Sequence, residues 1–359
     1  MASKKGAAEA APVSSVDGII DHLKKTSPAY VCRMTEAGSV ITVPKFLSTG
    51  LPSVDYILGG GIPAGRFTEL FSKGEGVGKT SLAAMCMAEM QRQGGTVVFI
   101  DTEKGLTDER LVTFGVNPEN IIWVEPLHIE NACQTIEQIL DHVNKNKEAQ
   151  GKVLVVWDSL TATSSKQEVE SDYGDITVAS SARALSASIK KLKDVMAHSE
   201  CYIIGITQTR QNIGGGPFAE QHQAAGGLGV KYYAAQRIVM YRGQSSWLKE
   251  GTQRVGVKVS MHTEKSRLAA PYRKAEAHLL FETGYDRWKS LFDLLLLLNV
   301  VEQSAGYYTI IGREKSFRQA EFQEVLAELE AKDKLTIVER LKAAKITLPA
   351  IQYFIPEAE

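Results

Sequence analysis

Apolar residues recur along this chain at two spacings, and the change from one to the other divides it into elements. Val16, Ile19, Ile20 and Leu23 stand three and four apart, which predicts a small helix that residues 24–28 then end. Residues 30–34 and 40–43 read as short strands. None of the three buries much alone, so this stretch is expected to lie against a neighbour, either the chain's own core or another subunit. From Phe46 to about Phe281, β-rich apolar runs alternate with helical patterns, at 67–71, 80–91, 97–101, 121–124, 129–143 and 153–158. Such alternation predicts a mainly parallel sheet covered by helices. Val178, Ala182, Leu185, Ile189, Leu192 and Met196 keep one face of a long helix, and 201–207 is the next buried strand.

Beyond it, 237–241, 254–261 and 275–281 look like strands joined by polar turns and predict an antiparallel extension of the sheet. From Asp286 the pattern turns helical, with Phe322, Val325, Leu326 and Leu329 in one stripe and Ile337, Leu341 and Ile346 in another. The expected organisation is an N-terminal helix and oligomerisation segment at 1–45, an α/β core at 46–285 and a small C-terminal domain at 286–359. No internal repeat is evident.

Composition narrows this picture. The 359 residues are 44% hydrophobic and 23% charged, ordinary globular values that exclude a fibrous or wholly disordered chain. Residues 1–15 lack the apolar stretch of a secretory signal. The most apolar run, 291–301, is interrupted by Asp293 and Asn299 and is shorter than the ~20 residues of a membrane span. Cys32, Cys86, Cys133 and Cys201 form no C-x-x-C pair and read as reduced core thiols of a cytoplasmic protein.

The net charge of -1 gives no overall basic excess, so any nucleic-acid surface must be local. Charge is nevertheless uneven: residues 101–175 hold 15 acids and 6 bases, whereas 231–274 hold 10 bases and 2 acids. One region is suited to attract the other on a neighbouring copy. Two solvated faces of a monomer account for the counts equally well.

The strongest chemical signal is Gly74-Glu75-Gly76-Val77-Gly78-Lys79-Thr80-Ser81, between a predicted strand and a predicted helix. Glycines let backbone N–H groups turn onto phosphate oxygens, and the helix N-terminus adds its positive end. Lys79 reaches the β/γ-phosphates and Thr80 can ligate Mg²⁺. The pattern G-x-x-x-x-G-K-S/T wants its first glycine where Lys73 stands, so Gly74 follows one residue late. Such a loop needs a second acidic ligand at a buried strand end, and Asp158 supplies it after Val153-Leu154-Val155-Val156-Trp157.

Val97-Val98-Phe99-Ile100-Asp101-Thr102-Glu103 is another buried strand ending in carboxylates. Glu103 is the candidate that orients the attacking water, although an acid there serves equally as a helix cap or a solvated group. The strand ending at Thr207 leads into Gln208, placed to sense a γ-phosphate. The glycine-rich stretch beyond reads as a loop that orders on a partner such as nucleic acid, or as a flexible surface loop.

In this order the pieces resemble the RecA family of recombinases, over roughly Val16 to Tyr308. Ser48-Thr49-Gly50 with Leu58-Gly59-Gly60-Gly61-Ile62-Pro63-Ala64-Gly65-Arg66 is similar to the family's lead-in to the phosphate loop. Phe99 to Glu103 followed by Phe114-Gly115-Val116 resembles its catalytic-glutamate segment. Tyr173-Gly174-Asp175 before Ala182-Arg183 resembles the first DNA-binding loop, and Gln208-Thr209-Arg210 with Gly226-Gly227 the second. Lys265-Ser266-Arg267-Leu268-Ala269-Ala270-Pro271 looks like the segment that reaches the neighbouring subunit's ATP. Leu228, where the family has a polar residue, and a second loop one residue longer are departures.

The resemblance implies a RecA-like P-loop ATPase core with a mainly parallel central sheet, a short N-terminal helix/strand segment and a small α+β C-terminal domain. It implies that Glu103 orients water, that Gln208 couples the γ-phosphate to the DNA loop, and that Lys265 and Arg267 act across a subunit interface. It also implies phosphate contacts from Arg183, Lys190 and Arg210, a wedge between bases from Ile213 or Phe218, and close backbone approach at Gly226 and Gly227. Phe281 is expected on the adenine. The expected activity is ATP- and Mg²⁺-dependent strand exchange by a helical filament on single-stranded DNA, paired with duplex DNA. The alternatives are a ring-forming helicase or regulatory ATPase on the same fold, and a non-hydrolysing DNA-binding accessory protein.

Overall fold

A computed structural model of the protein describes residues 16–29, 31–33, 45–72, 74, 76–172, 180–211, 222–224, 227–243 and 245–358. The chain forms two compact units that divide after residue 43. In the first, α1 (Val16–Thr26) buries none of its residues, and Arg33 pairs with Asp17 at 2.6 Å. Residues 31–33 take no regular structure, so the strand expected over 30–34 is not formed there. No partner edge lies within this unit's described residues, and a lone strand is unstable. Tyr30, Met34 and 40–43 lie outside the described residues. Cys32 is only half-buried, unlike the other three cysteines, because this unit offers it no core.

The second unit opens with β1 (Phe46–Leu47), α2 (Pro52–Leu58) and β2 (Ile62–Pro63), then β3 (Arg66–Ser72), α3 (Lys79–Arg92), β4 (Thr96–Asp101), α4 (Asp108–Thr113) and β5 (Ile121–Val124). It continues through α5 (Ile129–Lys145), β6 (Val153–Asp158), α6 (Lys166–Glu170), α7 (Ser180–Ser199), β7 (Tyr202–Thr207), β8 (Thr209–Gln211), β9 (His222–Ala224), α8 (Gly227–Tyr233) and β10 (Gln236–Tyr241). Then come β11 (Trp247–Glu250), β12 (Gln253–Ser266), β13 (Lys274–Leu280) and β14 (Gly284–Tyr285).

Ten of these strands make one sheet in the order β14-β13-β12-β10-β3-β7-β6-β4-β5, with β11 on β12, while β1 pairs with β2 and β8 with β9. The strands from β10 to β5 pair in parallel, and β12, β13 and β14 extend the sheet antiparallel, as the change of pattern after Tyr241 predicts. Alternate residues serve opposite faces: Val97 and Phe99 join the core beneath α2 and α3, Val98 and Ile100 the core beneath α5 and α7. Both faces being covered, the central strands read as continuous apolar runs. At Gly229 a Cβ would collide with Ser186, at 1.9 Å from its Oγ, so glycine is what lets α8 lie close on α7.

The chain ends in a lobe with a core of its own around Phe292, Phe322, Ile337 and Leu341. It comprises α9 (Arg287–Leu297), β15 (Val301–Ser304), β16 (Tyr307–Ile310), β17 (Ser316–Phe317), α10 (Phe322–Ala327), α11 (Ala331–Ala343) and α12 (Leu348–Phe354). The helices expected after Asp286 flank a three-stranded antiparallel sheet, which gives the lobe the α+β character the resemblance implies. Ala305 and Gly306, both at positive φ, form the two-residue turn that folds β15 back on β16. Arg92 bonds the Pro349 carbonyl at 2.8 Å, Arg287 pairs with the buried Glu89, and the Tyr353 ring lies under both guanidinium groups. No helix among the described residues is long and apolar enough to cross a membrane.

Candidate functional site

Parallel strands leave a crevice beyond their C-terminal ends where the chain leaves neighbouring strands in opposite directions, and here β3 is that point. The glycine loop follows β3 and leads into α3, whose 14 residues bring a helix N-terminus to it. Gly74 and Gly76 sit at φ 119° and 62°, and a Cβ on either would meet nothing within 4 Å, so they border open space. At Gly78, φ 84°, a Cβ would stand 2.6 Å from Tyr285 Oη. Tyr285 donates to the carbonyls of Val77 and Gly78, at 3.5 and 3.2 Å, and so fixes the last turn of the loop. Lys73 and Glu75 lie outside the described residues; Ser81 is half-buried in the first turn of α3.

The buried Lys79 ammonium donates to Ser72 Oγ at 2.7 Å, and Thr80 Oγ1 donates to Asp158 Oδ2 at 2.6 Å. The other Asp158 oxygen, Oδ1, is buried without a hydrogen-bond partner. Burial pushes this carboxyl up to about 6, with the Thr80 bond opposing and Glu103 adding to the rise. An orphaned buried oxygen beside a hydroxyl, on a loop with an ammonium and a helix N-terminus, fits a hard divalent cation held with phosphate oxygens.

Asp101 turns the chain after β4 by accepting from the N–H groups of Glu103 and Lys104, at 3.1 and 2.7 Å. Glu103 is thereby aimed along the sheet edge, where its Oε1 accepts from Ser159 Oγ and from Gln208 Nε2, the latter at 2.7 Å. Gln208 leaves β7, two strands from β4, so only the strand order reveals this contact. Phe281 comes to the same edge, because β13 runs parallel to β3 through two antiparallel steps. Its ring is 43% exposed and edge-on to Trp247, and its carbonyl accepts from Arg110 at 2.6 Å.

Lys265 and Arg267 are not brought to this loop. Lys265 pairs with Arg237, which pairs with Glu69, three residues or about 10 Å before Ser72 and two strands across. Lys265 Nζ donates instead to the carbonyls of Lys231 and Tyr232, at 2.7 and 2.6 Å, and Arg267 to Tyr232 at 3.3 Å. Partial burial and the nearby Arg267 hold the Lys265 ammonium below the ordinary lysine range.

Arg183 and Lys190 share the exposed face of α7, seven residues apart, opposite Leu185, Ile189 and Met196. Thr209–Gln211 and His222–Ala224 form a two-stranded ribbon with Arg210 opposite Gln223, and Gly227 opens α8. Ile213, Phe218, Gly226 and residues 173–179 lie outside the described residues. Ser72, Ser159, Arg110 and Tyr285 are contacts that sequence reasoning missed. Ser72 and Ser159 adjoin recognised motifs, which was a usable signal; Tyr285 and Arg110 meet their partners only through the tertiary fold.

Comparison with known proteins agrees with this arrangement. The profile of the RecA N-terminal domain matches residues 28–286. Protein RecA of Prochlorococcus marinus strain MIT 9211 is 32% identical over 266 residues, covering 74% of this chain and 70% of that protein. Protein RecA of Synechococcus sp. strain WH7803 is 33% identical over the same length, covering 74% and 67%. A phosphate loop after β3, a carboxylate after β4 and a profile match across the whole sheet have one common source: the chain belongs to the RecA family of recombinases, DNA-dependent ATPases.

Proposed function

We propose that the chain polymerises on single-stranded DNA as a helical filament, binds ATP with Mg²⁺ where two copies meet, and uses that nucleotide to hold a DNA-gripping state for pairing with duplex DNA. The observation that carries this reading is the 2.7 Å bond between Gln208 and Glu103. It ties the acid that orients water to the strand leading into the DNA-binding segment. A γ-phosphate arriving beside Glu103 competes for the Gln208 amide, and the strand end moves with it.

Gly74 to Ser81 wrap the phosphates, with Lys79 at the β/γ oxygens, and Phe281 covers the base. Thr80 and Asp158 would hold Mg²⁺, which when bound neutralises charge on the β- and γ-oxygens. Lys265 and Arg267 stand too far from their own loop to serve it, and suit the triphosphate of an adjacent copy, where cations stabilise charge on the transferred phosphoryl group. The apolar face of α1, unburied in its own unit, docks on the next core. The domain limits at 45 and 285 separate that arm, the catalytic core and the C-terminal lobe.

Arg183, Lys190 and Arg210 meet the DNA backbone, Gly226 and Gly227 approach it closely, and Ile213 or Phe218 separates bases. Backbone contacts make binding independent of sequence and weaker in salt. The test is ATP hydrolysis with and without single-stranded DNA, alongside electron microscopy of the mixture. Stimulated hydrolysis on helical filaments is expected. Directional duplex unwinding by hexameric rings, or nucleotide binding with no DNA-stimulated phosphate release, would replace this reading with one of its alternatives.

A further inference from the structure

Between the two groups of charges just described runs a line of polar contacts that the nucleotide site does not need. Glu69 on β3 is wholly buried and accepts from Thr207 Oγ1 at 2.7 Å, the residue before Gln208. Its other oxygen faces Arg237 Nε at 3.1 Å, close but without the alignment of a hydrogen bond. Arg237, only 3% exposed and stacked over Phe71 at 4.1 Å, donates to Glu264 at 2.7 Å, and Glu264 also receives Lys231 at 3.3 Å. Lys231 and Tyr232 are the residues whose carbonyls hold Lys265. Burial pushes the Glu69 carboxyl above its ordinary range and the Arg237 charge pulls it back.

Local geometry makes the line possible. The register of β10 against β12 slips between Arg237 and Ile238, so that Glu264 is an extra residue in its strand. A bulge puts two consecutive side chains on one side. Here Glu264 and Lys265 both reach α8, one to the Lys231 ammonium and the other to backbone carbonyls.

We propose that Arg237, acting through Glu264 and Lys231, is a positioning residue: it sets the end of α8 from which Lys265 and Arg267 act on an adjacent copy, and links that end to Gln208 of its own site. The inference rests on the cross-subunit reading above. Occupancy of one nucleotide site, felt at Gln208 and Thr207, thereby biases the cations offered to the next.

The variant to make is Glu264→Gln, which keeps size and hydrogen bonding at a partly exposed position and removes the charge that grips Arg237 and Lys231. Arg237→Lys, which keeps the charge and loses the fork, is the second. In the full-length protein on single-stranded DNA, Glu264→Gln is expected to lower kcat about tenfold with KM for ATP within about twofold and an unchanged melting temperature. Mixing in Glu103→Gln subunits, inactive but with intact cations, restores turnover per Glu264→Gln subunit. No restoration, or a loss confined to KM or melting temperature, overturns the inference. The cross-subunit reading has a separate test: if Lys265→Ala with Arg267→Ala hydrolyses ATP normally on DNA, that reading fails whatever Glu264→Gln does.

Discussion

Where β3, β4, β6 and β7 end, side chains hold one another: Lys79 on Ser72, Thr80 on Asp158, and both Gln208 and Ser159 on Glu103. Where β12 ends, two cations instead rest on the backbone carbonyls of one short helix. The first arrangement is pre-formed, with a buried carboxylate oxygen left over for an ion. In the second, the partly buried Lys265 ammonium and the Arg267 guanidinium donate to carbonyls at the end of α8 and to no acid among the described residues. The first end is thus held together by side chains of one chain, while the cations of the second, on the cross-subunit reading proposed above, serve an adjacent copy.

The largest test of that contrast is Lys79→Ala, expected to reduce DNA-stimulated hydrolysis by about 100-fold or more. Wild-type turnover would remove the loop from the chemistry. Next, Lys265→Ala with Arg267→Ala should cost about 10- to 100-fold in turnover and abolish cooperativity in ATP, with the monomer's melting temperature unmoved. A folding defect of matching size would show that these cations belong to the chain's own architecture.

Asp158→Asn separates stability from activity. The Asp158 carboxyl titrates at about 6 in the fold against 3.8 in the unfolded chain, so its ionised form opposes folding. That cost is absent below the unfolded value, grows as pH rises from that value to the folded one, and is complete above the folded one. Asn is therefore expected to stabilise the nucleotide-free protein by about 1–3 kcal/mol at pH 8, by less at pH 5, and to lose Mg²⁺-dependent turnover. The smallest effect is at the lobe contact: Tyr353→Ala removes the ring beneath Arg92 and Arg287 and should cost about 1 kcal/mol, read as faster amide exchange in α12.

Much of the first end of the sheet is legible in the sequence, since Gly74 to Thr80, Asp158 and Glu103 each carry a local pattern of strand, turn and residue type. The contact between Glu103 and Gln208 is not, because it depends on which strands are neighbours. Tyr285 is silent for a similar reason: nothing near residue 285 refers to Gly78. The sheet at 301–317 is masked by strands so short that their alternation looks irregular, although Ala305-Gly306 is a turn signal. The slip opposite Arg237 leaves no mark at all, since a bulge changes register without requiring a special residue.

That slip makes the length of β12 matter more than its composition. A chain one residue shorter there would restore strict alternation and present α8 with either a carboxylate or an ammonium, never both. Counting residues through 253–266 therefore sorts related sequences into those that keep the arrangement and those that have given it up, even where every charge type is retained.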